Sequence, residues 1–281
     1  MKKQLLTIIP KNFASWLTGS ISRVRAPQYL LKTFINTFGI NMSEAEFEVS
    51  HYQSIEDVFT RRLKKNQRPL QGDICMPCDG TMQWNGSVCP ESELTAKDLT
   101  YSIQELIYGT NPQNTNPIDP AFAQVIYLAP HNYHRVHTPT HGTLKKIRHI
   151  PGPLWPVSPD FVEKRPALLA ENERMVFEIE VDEYGSKAWI VMVGAYNVGR
   201  IRPAIDPHFL SNKSPRKQSV IVEQEYNHTL KKGDELGTFM LGSTTVTIFN
   251  KIFCETYSVR TYPSEQSVQL GEALADKTTK D

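Results

Sequence analysis

From Pro69 onward the chain reads as short apolar or alternating runs punctuated by Gly, Pro and Asn. That texture commits most of its length to strands and turns rather than to long helices. Residues 124–129, 174–181, 188–193, 219–222 and 244–249 are the strand candidates, residues 111–120 a loop, and no internal repeat is present. The segment before Pro69 follows a different period. Phe13, Trp16, Leu17 and Ile21 fall at helical spacing. A second helix is expected after Pro27, with Leu30, Leu31, Phe34 and Phe38 on one side and a stop at Gly39. A third begins at Ser54, where Asp57 completes a capping box ahead of Val58, Phe59 and Leu63. Helices first and strands afterwards predict an α+β protein, with N-terminal amphipathic helices followed by a β-rich core. The expected divisions are a helical region at 1–66, a core at 67–262 and a polar tail at 263–281.

With 40% hydrophobic and 10% aromatic residues, the chain can bury a substantial core. Its 31 basic and 30 acidic residues leave a net charge of +1, so no overall field attracts nucleic acid. The average conceals an asymmetry. Lys2, Lys3, Lys11, Arg23, Arg25 and Lys32 precede the first acidic residue, leaving 25 basic and 30 acidic residues in the 238 positions after Ser43. Each such charge contributes about 1 kcal/mol near an anionic leaflet, which suits a reversible surface anchor. No apolar run approaches the roughly 18 residues that span a bilayer. The early run Leu5-Leu6-Thr7-Ile8-Ile9 ends at Pro10 without a cleavage site of the secretory kind. Cys75, Cys78, Cys89 and Cys254 are too few for a disulfide scaffold and read as ordinary thiols in a reducing compartment.

Three groups of residues carry possible chemistry. His131, His134, His137 and His141 fall within eleven positions between a strand and a proline-bracketed turn. Their spacing is not a standard zinc pattern, and the lone Cys75-x2-Cys78 pair has no second half; a metal-dependent hydrolase built on His131–His141 is the alternative reading. Asp79, in a Cys78-Asp79-Gly80 turn, could serve as a turn residue or as the carboxylate that orients an imidazole. Ser243 follows Gly242 at the mouth of a β-branched strand. Acid, base and hydroxyl in the chain order Asp, His, Ser identify no triad by themselves.

Taken together, these stretches resemble the phosphatidylserine decarboxylase family. Pro77-Cys78-Asp79-Gly80, Tyr133-His134-Arg135-Val136-His137 with Pro139, Ile150-Pro151-Gly152, Asn172-Glu173-Arg174, Val193-Gly194-Ala195 and Val198-Gly199 match its motifs in order. Lys232-Gly233-Asp234-Glu235-Leu236-Gly237 then leads into Leu241-Gly242-Ser243-Thr244, similar to the motif at which members cleave themselves. Pro153-Leu154-Trp155-Pro156-Val157 and Arg200-Ile201-Arg202 depart from the family pattern.

The resemblance implies a sequence of events. His137, oriented by Asp79, would deprotonate Ser243, whose oxygen attacks the carbonyl of Gly242. Glycine there leaves the approach free of a Cβ. The ester that forms would eliminate, cutting the chain into a β chain, 1–242, and an α chain, 243–281, that remain together as a heterodimer and assemble further. Ser243 would become a pyruvoyl group, a covalent electron sink for decarboxylating phosphatidylserine to phosphatidylethanolamine, with His134 assisting decarboxylation or reprotonation. No metal site is implied. The lipid substrate and the acid-free N-terminus together imply a peripheral enzyme on the anionic cytoplasmic face of the inner membrane.

Overall fold

The computed structural model describes residues 19–88, 93–96, 99–109, 118–158, 161, 165, 167–181, 185–195, 200–212, 220–240 and 243–278. The expected helix around Phe13, Trp16 and Leu17 falls almost wholly outside them; residues 19–22 are helical. The next helix, Gln28–Phe38, follows Pro27 and ends at Gly39, whose φ of 65° is left-handed. The Ile40 N–H then closes back on the Ile35 carbonyl at 2.9 Å, so the chain reverses through a conformation that favours glycine. Leu31 and Ile35 are buried against Ile40, Tyr52 and Val58. Leu30 and Phe38, expected on the same side, are exposed with Tyr29. The helix Ile55–Phe59 starts at the anticipated capping box. The Ser54 hydroxyl accepts from Asp57 N–H at 3.1 Å, and the Asp57 carboxylate accepts from Ser54 N–H at 3.0 Å.

Beyond this layer the chain is antiparallel β. In chain order the strands are β1 (Ile74–Cys75), β2 (Gly80–Ser87), β3 (Glu93–Ala96), β4 (Leu99–Ser102), β5 (Pro120–Leu128), β6 (Arg135–His137), β7 (Gly142–Ile150) and β8 (Arg174–Glu180). They continue as β9 (Lys187–Val193), β10 (Ile201–Pro203), β11 (Val222–Leu230), β12 (Glu235–Phe239), β13 (Ser243–Asn250), β14 (Tyr257–Val259), β15 (Ser267–Val268) and β16 (Ala273–Lys277). The main sheet has the order β11-β7-β8-β9-β13-β5-β2-β15, beside smaller sheets β10-β12-β6 and β1-β16-β14 and the hairpin β3-β4.

Alternation along β13 explains why this strand is central. Val246 and Ile248 face one apolar layer, shared with Val125, Trp189 and Val191. Phe249 faces the other, where its ring lies 4.0 Å from Phe253 at 5°. Burying one such ring contributes about 1.5–3 kcal/mol, and two buried faces admit no polar edge.

The Asn172-Glu173-Arg174 block ties the second layer together. Arg174, fully buried, donates to the carbonyls of Glu105, Leu106 and Asn172, capping the helix Ile103–Tyr108. Asn172 bridges Trp155 and Gly194. Glu173 accepts from His149 and from Asn212 N–H, both at 2.8 Å.

Two expectations are corrected. The strand expected at 219–222 begins only at Val222 and runs to Leu230. It is an edge strand carrying Glu223, Gln224, Glu225 and Asn227, so it has little of the apolar alternation that marks interior strands. The segment expected as a polar tail is anchored as far as Lys277. Val268, Leu270, Leu274 and Ala275 are buried, and β16 sits between β1 and β14.

Candidate active site

Because every neighbour pair in the main sheet is antiparallel, β2 begins, β5 ends, β13 begins and β9 ends along one rim. Asp79 immediately precedes β2. Ser243 opens β13 opposite Leu128, the last residue of β5. Gly242 and the Ser243 side chain lie outside the described residues.

Past Leu128 the chain turns tightly. The Asn132 side chain accepts from Ala129 N–H at 2.8 Å, and its backbone N–H returns to the Ala129 carbonyl at 2.9 Å. The turn carries His134 into the interior. Its imidazole is fully buried, with the Phe59 ring 3.8 Å away at 34°. Nδ1 lies 2.9 Å from the Asn132 carbonyl, an acceptor only, so Nδ1 carries the proton and Nε2 keeps its lone pair. That Nε2 is buried without a hydrogen-bond partner. Burial first, and then the Arg61 guanidinium, pull His134 down to about 3. The backbone of Leu128, opposite Ser243, lies near the ring and slightly favours its charged form. A neutral imidazole with a free nitrogen thus sits beside the start of β13.

His137 closes β6. Its Nδ1–H donates to the Gly233 carbonyl at 2.8 Å, which leaves Nε2 to accept from the Tyr133 hydroxyl at 3.2 Å. Burial holds this imidazole below its ordinary value, and Gly233, Glu235 and Asp79 offset part of that. Gly233 has a φ of 88°, and a Cβ there would meet Leu70 Cδ1 at 2.5 Å. Only glycine brings this carbonyl to the ring.

Asp79 does not reach either nitrogen of His137. Arg68 holds both carboxylate oxygens, through Nε at 2.9 Å and a terminal nitrogen at 2.7 Å, and Leu270 N–H adds a third bond at 2.9 Å. The same Arg68 nitrogen reaches Glu44 at 2.8 Å. A bidentate guanidinium outcompetes an imidazole N–H for a carboxylate. The expected direct orientation of His137 by Asp79 is therefore replaced by the Gly233 carbonyl. Asp79 stays coupled to His137 through its charge and through the His137 N–H, which donates to the Pro77 carbonyl at 2.8 Å.

Around these groups stand Arg135 and Arg61, whose hydrogen-bond partners the sequence pattern did not indicate. Arg135 donates to both oxygens of Glu235 at 2.8 Å and to the Thr60 carbonyl. Arg61 donates to the carbonyls of His131 and Asn132. Only the motif positions of Tyr133, Arg135 and Gly233 hinted at them. The four clustered histidines diverge: His131 and His141 are exposed, and His134 is enclosed. Among the described residues, no three His, Cys, Asp or Glu side chains converge on a common point. Cys75 and Cys78 are buried free thiols; burial pushes Cys75 up to about 11 and Cys78 higher still.

The family model described as phosphatidylserine decarboxylase matches residues 55–276. A phosphatidylserine decarboxylase proenzyme of Pseudoalteromonas translucida is 36% identical over 253 residues, covering 85% of each chain. One from Pseudoalteromonas atlantica is 34% identical over 291 residues, covering 99% of this chain and 98% of its own. Another, from Alkalilimnicola ehrlichii, is 36% identical over 257 residues, covering 89% of this chain and 88% of its own.

Proposed function

The chain belongs to the phosphatidylserine decarboxylase family, and from that premise we propose that it removes CO2 from phosphatidylserine with a ketone made from its own Ser243. The observation that carries this reading is the neutral His134 imidazole, with an unpartnered Nε2, beside the strand that Ser243 opens. An orphaned buried nitrogen costs roughly 1–3 kcal/mol and is the kind of group a reacting atom would satisfy.

Maturation begins at Ser243. His137, with Nε2 as the lone-pair nitrogen, takes the hydroxyl proton, relayed through Tyr133. Asp79, clamped by Arg68, supplies a fixed negative charge that favours the imidazolium as it forms. The Ser243 oxygen attacks the Gly242 carbonyl carbon, the peptide nitrogen is expelled and an ester links the two residues. Elimination releases Gly242 as a carboxylate. Water then removes the nitrogen of the remaining dehydroalanine as ammonia. The word "proenzyme" in the relatives' names supports such a step.

The pyruvoyl group so formed supplies the electron sink for loss of CO2. The remaining work falls to the chain. The Phe59 ring and the complete burial of His134 exclude water from the imidazole, which strengthens charge interactions there. Burial favours the neutral form of His134, which accepts or returns a proton through Nε2. The two pieces, 1–242 and 243–281, stay joined because β13 lies between β9 and β5. No helix among the described residues is long and apolar enough to cross a membrane. The exposed Ile21, Val24, Tyr29 and Leu30, with the acid-free basic segment, would hold the enzyme peripherally at the anionic cytoplasmic face of the inner membrane.

The test is release of CO2 and phosphatidylethanolamine from phosphatidylserine, with and without prior borohydride. The reading expects turnover that borohydride abolishes and that Ser243→Ala lacks. Turnover indifferent to both treatments would refute it.

A further inference from the structure

A cleft of about 390 Å³ opens between the N-terminal layer and the core, and its wall is rich in hydrogen-bond donors. Arg61, Arg62, Arg135 and Arg202 all line it. Two of its donors are buried without an acceptor: the Tyr52 hydroxyl and Arg61 Nε. Tyr52 and Arg61 are 6% and 4% exposed. Arg202 makes no side-chain hydrogen bond among the described residues, and Arg62 has only a 3.6 Å ion pair with Glu235. The carboxylates nearby are largely committed. Asp57 accepts from Gln53 and Ser54 N–H, and Glu235 holds Arg135. Asp57 keeps its charge, since its partners are neutral N–H groups, so Glu46 and Asp57 together oppose the four arginines of the wall. A surplus of buried donors calls for an acceptor from outside, and arginine forks suit the oxygens of a phosphate.

The rim indicates where that phosphate comes from. Phe47 lines the cleft, is 43% exposed and stacks on His51 at 4.1 Å. Tyr52, in the wall, packs in one cluster with Leu31 and Ile35 of the helix Gln28–Phe38, whose outer side bares Tyr29 and Leu30. An arginine-lined cleft bordered by exposed apolar side chains fits a headgroup at a lipid surface better than a soluble anion. The cleft is separate from the surroundings of His134, since neither His134 nor Phe59 lines it. Thr60 and Arg61 face it, whereas the adjoining Phe59 packs on the His134 ring.

We propose that this cleft is a second phospholipid site, holding the headgroup phosphate of a lipid that is not the one undergoing reaction. The proposal rests on the membrane reading above. It adds a consequence, because an occupied cleft would engage Arg61 and Arg135, which brace the loop carrying His131 and Asn132 and the strand β6.

The experiment measures the melting temperature of the purified full-length protein with dihexanoyl phosphatidylglycerol, whose headgroup has neither the amine nor the carboxylate that decarboxylation needs. Inorganic phosphate at equal concentration forms the second arm. A rise of about 2–4 °C with the lipid, absent with phosphate, is expected. Arg62→Glu and Arg202→Gln should each abolish the rise, while Lys251→Glu, an equal charge reversal at an exposed position that neither lines the cleft nor belongs to the basic N-terminal segment, keeps it. Should Arg202→Gln fail to fold, Arg62→Glu decides alone, because its side chain is 62% exposed and substitution there is mild. An equal rise with inorganic phosphate overturns the lipid assignment. No rise with either ligand, or a rise that survives Arg62→Glu, overturns the site. Wild-type turnover of phosphatidylserine, assayed separately, tests the decarboxylase reading whichever way the melting data fall.

Discussion

At its Asn250 end, β13 runs into a side chain with three hydrogen bonds: Asn250 accepts from Lys187 and Phe253 N–H and donates to the Gly185 carbonyl. At its Ser243 end, the strand pairs with Leu128, whose backbone lies near the His134 ring, and the buried Nε2 of that ring has no hydrogen-bond partner. One end is a clamp, with Phe249 and Phe253 stacked behind it. The other leaves a buried nitrogen without a hydrogen-bond partner. The contrast means that the Ser243 end need not be rigid on its own account. A central strand fixed at its far end, and paired with β9 and β5 along its length, holds its first residue on the rim where β2 begins and β5 ends.

If the Ser243 end is the chemical one, separate losses should appear there. His137→Gln should slow self-cleavage by about 10²–10⁴-fold, the usual contribution of a positioned base, read as accumulation of the uncut chain on a denaturing gel. His134→Gln should cut normally yet decarboxylate more slowly by a similar factor. Identical defects in the two variants would erase the division of labour between them.

Arg68 tests how far the chemical end depends on a structural ion pair. Arg68→Gln strands the Asp79 carboxylate, with side chains 10% and 6% exposed in the pair, and should cost about 3–5 kcal/mol in urea unfolding. Cleavage should slow as well. A stable, normally cleaving variant would mean that Asp79 needs no such clamp.

Acid should find the chemical end first. His134 is neutral when folded and drops to about 3, from an ordinary value of 6.5. Between those values the unfolded chain binds a proton that the folded chain does not, so stability falls as pH drops below about 6.5 and is level above it. The slope from this group is at most about 1.4 kcal/mol per pH unit. Urea titrations at pH 7 and pH 5 measure it, and His134→Gln should flatten the dependence. An unchanged slope would place the acid sensitivity elsewhere.

The smallest effect belongs to the clamp. Asn250→Ala removes a helix cap and two further bonds, and should lower stability by about 1–2 kcal/mol while leaving cleavage complete. A cleavage defect equal to that of His137→Gln would contradict the separation of the two ends.

The sequence exposed the local devices of this architecture and concealed the long-range ones. Ser54 with Asp57, Gly39 after its helix and the apolar alternation of β13 are all decided within a few residues, and each stands where its pattern indicated. The His137–Gly233 bond spans 96 positions and ends on a backbone carbonyl, which no side-chain pattern records. Asp79 illustrates a different limit. Its place in the motif pointed to the right rim of the sheet, but its partner depended on which cation arrived there, and Arg68 came from the helical side of the chain. Only the start of the edge strand β11 was legible, because a strand with one solvated side and few apolar residues has no hydrophobic period to read.

The most direct measurement is the intact mass of the purified protein under denaturing conditions. The account expects two polypeptides, residues 1–242 and 243–281, the smaller lacking a free amino terminus and gaining two hydrogens on borohydride reduction. A single chain of 281 residues, fully active on phosphatidylserine, would contradict it.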